Sequence, residues 1–337
     1  DRAETLLQTL VDNGVEVCFT NPGTSEMHMV AAMGNSPGMR AILCLFEGVA
    51  SGAADGYARM AGKPACTLLH LGPGLSNASA NLHNAKRGYS GVINLVGDHA
   101  TYHKEFDAPL NSDVIGLADP VSDWVRRVAS AEELADDAAD AVVAANTPPG
   151  QLATLIVPAD AAWNDARAAV GPRQLPTAPT VSDAAIERAA KLLGNGKPSM
   201  LLMSNLALTP GALDWADRIA QKTGALVYCD TFNTRLRRGT GSCHIDRLAY
   251  FAEMALEQTG GIEQLVTVGT KPPVAFFAYP GVASELTPEG AETFNLAAVP
   301  EDAENALQRL AQALGAADLA PRRIERNVPG LQLSLIH

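Results

Sequence analysis

Four short stretches combine a turn-forming or glycine-rich backbone with side chains able to move protons or hold a polar ligand. They are Asn21-Pro22-Gly23-Thr24, Leu45-Phe46-Glu47-Gly48, Leu69-His70-Leu71-Gly72-Pro73-Gly74 with Asn77, and Gly97-Asp98-His99. Each follows an apolar run that reads as a β-strand, and in an open parallel sheet ligands bind beyond the carboxyl ends of the strands. The four therefore describe one candidate site, with Asn21, Glu47, His70 and Asp98 expected at one edge. Glu47 is its sharpest member. It leads into Gly48-Val49-Ala50-Ser51-Gly52-Ala53-Ala54, whose small side chains let a helix pack close to its neighbours. A carboxyl desolvated there can share or donate a proton near neutral pH. The plainer reading is a carboxylate that merely favours the positive end of a helix dipole. His70, on its own, reads as a strand-end histidine bonded to backbone. His99 and His103 flank a loop at another strand end, and His99 is the stronger candidate for touching substrate. His28 and His83 fall in helical segments and read as structural or exposed. Arg235, Arg237 and Arg238 form a basic cluster that reads as a solvated face rather than a phosphate site.

The elements that must position these residues alternate. Helical spacing covers Glu4 to Asn13, closed by Gly14; β-rich residues run from Val15 to Phe19; Ser25 is placed to cap a second helix. Strand patterns follow at Arg40 to Phe46, Ala65 to His70, Val92 to Val96 and Leu152 to Val157. Helical patterns follow at Glu47 to Ala61, Ser76 to Lys86 and near Ala131 to Ala145. Such alternation implies a doubly wound parallel sheet with helices on both faces. Asp165 to Pro179 carries three prolines without hydrophobic period and reads as a linker. Alternation then resumes. Ile186 to Leu193, Ala212 to Lys222 and Ala303 to Leu314 read as helices, and Met200 to Met203, Ala225 to Cys229, Gln264 to Val268 and Phe294 to Ala298 as strands. Two α/β domains are expected, over residues 1–165 and 182–316, with a linker at 166–181.

Composition narrows the class. The chain is 47% hydrophobic and 18% charged, as a globular protein with a real core should be, and its net charge of −12 argues against sequence-independent nucleic-acid binding. No apolar run approaches the roughly 20 residues that span a bilayer, so no membrane role is expected. Five cysteines without a C-x-x-C pair read as small buried hydrophobes of a reducing, cytoplasmic protein rather than a metal or redox site. The start at Asp1 leaves a removed leader open.

Three segments carry a family resemblance: NPGTSEM at Asn21 to Met27, FEGVASGAADGYAR at Phe46 to Arg59, and HLGPGLSNASANLHNA at His70 to Ala85. In content, order and spacing, Val15 to Ala100 resembles the pyrimidine-binding domain of thiamine-diphosphate enzymes of the acetolactate synthase and benzoylformate decarboxylase group. The second domain is more weakly similar to that family's middle domain. The resemblance implies that Glu47 hydrogen-bonds the cofactor's aminopyrimidine ring and favours the imino tautomer, which removes the thiazolium proton so that the cofactor can attack a 2-oxo acid. It implies cofactor contacts from Asn21, Pro22, Gly23, Glu47, Gly72 and Asn77, and catalytic roles for Glu47, His70 and His99. It further implies a homodimer or homotetramer acting on a small 2-oxo acid. Magnesium would be held by a later diphosphate-binding domain with a Gly-Asp-Gly signature. No such segment is found here, so no metal ligand is assigned, residues 317–337 read as the start of a linker to that domain, and the chain by itself is expected to be inactive and to bind the cofactor weakly. The leading expectation is an acetolactate synthase-like enzyme that decarboxylates or ligates 2-oxo acids; Gly97-Asp98 departs from the Gly-Gln pattern of acetolactate synthases and counts against acetolactate synthesis itself, and His70, placed where benzoylformate-decarboxylase-like sequences also have a histidine, supports the alternative of a benzoylformate-type decarboxylase. Ser204-Asn205-Leu206-Ala207 lacks the glycine-rich turn that flavin would want. A non-catalytic, partner-binding paralogue is the alternative of another class. A nicotinamide dehydrogenase is disfavoured because no G-x-G-x-x-G follows a strand. The last residues, Leu333-Ser334-Leu335-Ile336-His337, resemble a translated sequencing-adapter end and are expected to be foreign to the protein.

Overall fold

A computed structural model describes residues 2–163 and 168–327. The adapter-like tail and the first part of the expected linker lie outside the described residues. The chain divides into two compact units, Asp1–Thr177 and Ala178–His337.

In the first unit six strands form one sheet: β1 (Val17–Asn21), β2 (Arg40–Leu43), β3 (Ala65–Leu69), β4 (Val92–Asp98), β5 (Trp124–Arg127) and β6 (Leu152–Pro158). Their order is β2-β1-β3-β4-β6-β5 and every pairing is parallel. Parallel strands are buried on both faces, so the central ones read as continuous apolar runs. Cys18, Cys66, Ile93, Leu95 and Leu155 face one core with α1 (Arg2–Asp12), α2 (Met27–Gly34) and α6 (Leu134–Ala145). Val17, Leu69, Val92, Val96 and Ile156 face the other with α3 (Glu47–Ala61), α4 (Leu71–Arg87) and the short α5 (Val114–Ala118). The sheet also carries a polar row. Thr67 Oγ1 donates to Asn94 Oδ1 (2.9 Å), Asn94 Nδ2 donates to Thr154 Oγ1 (3.1 Å), and Thr154 Oγ1 lies 2.6 Å from Ser122 Oγ. Thr67, Asn94 and Thr154 expose none of their surface.

Several expectations need correction. Ser25 caps nothing; Thr24–Glu26 is a single 3-10 turn in which Gly23 N–H donates to Glu26 Oε2 (2.8 Å), and α2 starts after it. The strand from Arg40 ends at Leu43 rather than Phe46, because it is an edge strand and Leu45 and Phe46 point to solvent. The helix placed at Ser76 starts at Leu71, with Pro73 in its first turn, where a missing N–H costs nothing. Strand β5 escapes sequence reading because its residues are all half-buried. Within the expected linker, Val170 N donates to Thr9 Oγ1, Arg173 N donates to Asn13 Oδ1, and the Arg173 guanidinium pairs with Asp136 and Asp140. This stretch is tied to the first unit.

The second unit has a five-stranded parallel sheet: β7 (Ser199–Met203), β8 (Leu226–Cys229), β9 (Asp246–Arg247), β10 (Gln264–Val268) and β11 (Glu292–Ala297), ordered β11-β10-β7-β8-β9. Helices α8 (Asp183–Leu193), α9 (Pro210–Thr223) and α11 (Ala303–Ala313) cover one face, and the short α10 (Ala252–Thr259) stands before β10. All five cysteines are buried and unpaired. Among the described residues no helix is long and apolar enough to cross a membrane.

Candidate functional site

The site is built where β1, β3 and β4 end side by side, since their parallel pairing puts Asn21, His70 and Asp98 at one edge of the sheet. Glu47 reaches that edge from the first position of α3. Phe46 before it is extended (φ −160°, ψ 140°), so chain direction changes sharply and the carboxylate turns inward, 7% exposed. The small residues of α3 serve the expected close packing. Ala50, Ala54 and Ala58 meet Leu75, Ala78 and Leu82 of α4 in one core, and Asn81 Nδ2 donates to Gly48 O (2.5 Å).

Glu47 is anchored at one oxygen only. Asn77 Nδ2, in the second turn of α4, donates to Oε2 (2.9 Å). Oε1 lies against Gly74, where a Cβ would sit 3.1 Å from it and 3.4 Å from His70 Cβ. Gly74 thus lets the start of α4 approach the carboxylate and places Glu47 beside His70. Among the described residues Oε1 has no hydrogen-bond partner.

His70 is not bonded to backbone. Its Nδ1 is 2.7 Å from Oε2 of Glu26, a carboxylate with no exposed surface. Gly23 N–H donates to the same oxygen, while Oε1 of Glu26 is buried without a partner. Burial pushes the Glu26 carboxyl above the ordinary glutamate range; the Gly23 N–H and His70 pull against that rise. Two glycines make room for the pair. A Cβ on Gly23 would fall 2.2 Å from His70 Nδ1, and one on Gly97 would fall 1.7 Å from Glu26 Oε1. Leu71, next to His70, holds a left-handed φ of 51° with its side chain buried. Such a conformation costs on the order of 1–3 kcal/mol and persists where the surroundings over-determine it. Glu26 was absent from the residues singled out by sequence. The available signal was its place three residues after Gly23, the spacing of a capping box.

The other expected site residues take supporting places. Asn21 Nδ2 donates to Cys44 O (2.7 Å), tying the end of β1 to the turn after β2. Pro22 and Gly23 form the turn beneath His70. Gly72 clears Ser112, whose Oγ would lie 2.2 Å from a Cβ there. Asp98 is buried and neutralised by Lys104 (3.0 Å) and Arg127 (2.6 Å), and it accepts the His99 N–H (2.8 Å). The His99 ring stacks edge-on with His103 at 5.7 Å, and its Nε2 is buried without a partner. His28 contacts Trp163 on the outside of α2. The Arg235, Arg237 and Arg238 side chains are exposed. Among the described residues no group of three or more His, Cys, Asp or Glu could hold a metal ion.

A carboxylate with one oxygen clamped and the other unpartnered, beside a histidine backed by a second carboxylate, can take and return protons on a bound ligand. Residues 1–117 match the family model described as "Thiamine pyrophosphate enzyme, N-terminal TPP binding domain". The provisionally assigned acetolactate synthase large subunit IlvX of Mycobacterium tuberculosis is 51% identical over 321 residues, 95% of this chain and 61% of that protein. Benzoylformate decarboxylase of Pseudomonas aeruginosa is 30% identical over 149 residues, 44% of this chain and 28% of that protein. A solved structure of a provisionally assigned thiamin diphosphate-dependent enzyme from Mycobacterium smegmatis superposes with a TM-score of 0.81 at 24% identity, covering 97% of this chain and 66% of the other. The chain spans about three fifths of the length of its mycobacterial relative.

Proposed function

We propose that this chain, whose residues 1–117 match the N-terminal domain of thiamine pyrophosphate enzymes, contributes the cofactor-activating wall of an enzyme that decarboxylates or ligates 2-oxo acids. The observation that carries this is Glu47: buried, held at Oε2 by Asn77, and open at Oε1 toward the strand-end edge shared with His70. When bound, thiamine diphosphate supplies a carbon nucleophile for the 2-oxo acid and a sink for the electrons released as carbon dioxide leaves. This chain's share is positional and electrostatic. Glu47 Oε1 accepts from, or shares a proton with, the aminopyrimidine. Asn77 keeps the carboxylate from turning away, and Gly74 keeps the approach open. His70 faces the substrate side as an acid/base group, and His99 stands at the neighbouring strand end.

His70 favours the decarboxylase reading over carboligation, because its ring is backed by a buried carboxylate and so can cycle a proton. Magnesium enters the proposal only with a diphosphate-binding domain. Assembly into a homodimer or homotetramer is supported by the apolar side chains that flank Glu47 in solvent, Leu43, Leu45, Phe46 and Val49. A cytoplasmic setting is supported by the unpaired cysteines.

The test is exchange of the cofactor's reactive-carbon proton with deuterium in the full-length protein at saturating thiamine diphosphate and magnesium. Glu47→Gln should slow exchange by roughly 10² or more, the loss expected for a missing acid/base group, with folding little changed. Equal rates in the two proteins would end the case for Glu47.

A further inference from the structure

We infer that Glu26 is the positioning residue for His70, holding the neutral imidazole with its proton on Nδ1 and its lone pair on Nε2. The inference rests on the proposed function only in taking a 2-oxo acid as what Nε2 meets. Four observations carry it. The Glu26 side chain is fully buried and its Oε2 lies 2.7 Å from His70 Nδ1. That oxygen already accepts the Gly23 N–H, which favours negative charge on it and therefore its use as an acceptor from Nδ1–H. The other oxygen is buried without a partner, an arrangement that costs free energy and survives only where the surroundings enforce it. Gly23 and Gly97 leave the room that the pair needs, since a side chain on either would strike the ring or the carboxylate.

The residues come from separate parts of the chain. Gly23 and Glu26 lie after β1, His70 after β3 and Gly97 within β4. Each supplies what the others lack. The ring orientation is fixed further by the left-handed Leu71 that follows it. The other ring nitrogen of a histidine takes its role from the bond the first one makes. Here Nδ1 is committed, and among the described residues Nε2 has no partner. Nε2 can therefore take a proton from solvent, and the imidazolium so formed, held by Glu26 at the distance already present, can hand that proton to an oxygen of the ligand as charge gathers there. The ring then returns to its neutral form, and Glu26 keeps its charge throughout.

The experiment is 15N NMR of the 337-residue chain labelled in its histidine rings, with the His70 signals identified by their loss in His70→Gln. At a pH where the ring is neutral, the wild-type ring should show a protonated Nδ1 and an unprotonated Nε2. Glu26→Gln keeps a carbonyl acceptor and should keep that tautomer. Glu26→Ala should lose it in favour of Nε2–H, and Gly97→Ala, by displacing the carboxylate, should follow Glu26→Ala. A majority Nε2–H ring in wild type overturns the inference, as does an unchanged tautomer in a folded Glu26→Ala. Should circular dichroism show Glu26→Ala unfolded, the wild-type and Glu26→Gln spectra still decide, since loss of the Nδ1–H form in Glu26→Gln also counts against it. The measurement uses no cofactor. A failure here leaves the role of Glu47 standing, and equal exchange rates in Glu47→Gln leave this result standing.

Discussion

Both units end their parallel sheets in carboxylates drawn away from solvent, buried in the first and half-buried in the second, yet the two edges are in different chemical states. In the second unit Asp230 follows β8, and Thr270 after β10 donates to its Oδ2 (2.5 Å). Around it Asn205 Nδ2 donates to Gly269 O, Thr234 Oγ1 to Asn205 Oδ1, and Asn295 Nδ2 to Thr270 O. Among the described residues none of these side chains keeps a buried polar atom without a partner. In the first unit the corresponding edge leaves buried acceptor and donor capacity over: Thr20 Oγ1, Glu26 Oε1 and His99 Nε2 are buried without partners, and Glu47 Oε1 is unpaired. A carboxylate at a strand end is thus not by itself a sign of chemistry. Unspent hydrogen-bonding capacity beside glycines, rather than the carboxylate itself, separates the first-unit edge from the second.

The largest effect that could break this contrast is on cofactor activation. Asp230→Asn, assayed beside Glu47→Gln for deuterium exchange in the full-length protein, should leave the rate unchanged, while Glu47→Gln loses roughly 10² or more. A comparable loss in Asp230→Asn would remove the distinction. Next comes stability. Gly97→Ala places a Cβ 1.7 Å from Glu26 Oε1, so denaturant unfolding should show a loss of roughly 1–3 kcal/mol from overpacking. Gly261→Ala in the second unit meets nothing within 4 Å and should change stability by no more than about 0.5 kcal/mol.

The smallest expected effect is on pH dependence, where the two units should agree. Burial raises the carboxyls of both Glu26 and Asp230. A raised acid binds more protons folded than unfolded, so its contribution favours the folded state at low pH and is lost as pH rises from the ordinary carboxyl range through the folded value. Glu26→Gln and Asp230→Asn should each flatten that decline in a plot of unfolding free energy against pH. A steeper decline in either variant would reverse the assigned direction.

The expected doubly wound class is what the structure shows, and its legibility had physical causes. Glu47 to Ala61 was readable to the residue because a charged residue opens a run of small residues directly after an apolar stretch. The start of α4 was misplaced because Gly72-Pro73-Gly74 looks like a turn, and only the contact with Glu47 and Ser112 explains why a helix carries it. The partnerships that make the site were not visible. His70 meets Glu26 across 44 residues of chain and Asn77 meets Glu47 across 30. Local pattern carries no information at those separations. Edge strand β5 was missed for a related reason, since Arg126 and Arg127 answer to Asp137, Asp140 and Asp98 rather than to a period of burial.

The polar row through Thr67, Asn94, Thr154 and Ser122 has a consequence for how this chain finds its fold. Parallel strands with uniformly apolar faces can slide past one another at little cost in burial, and they assemble late because their contacts are distant in sequence. Here a shift of β4 by one residue would turn the Asn94 amide to the opposite face, strand Thr67 in an apolar interior and leave Thr154 with Ser122 alone, at a cost of about 1–3 kcal/mol for each group left unsatisfied. The row therefore discriminates against misaligned sheets during assembly. Because β3 and β4 also carry His70 and Asp98 at their ends, correct alignment of these hydroxyls and one amide in the middle of the sheet sets which residues arrive together at its edge.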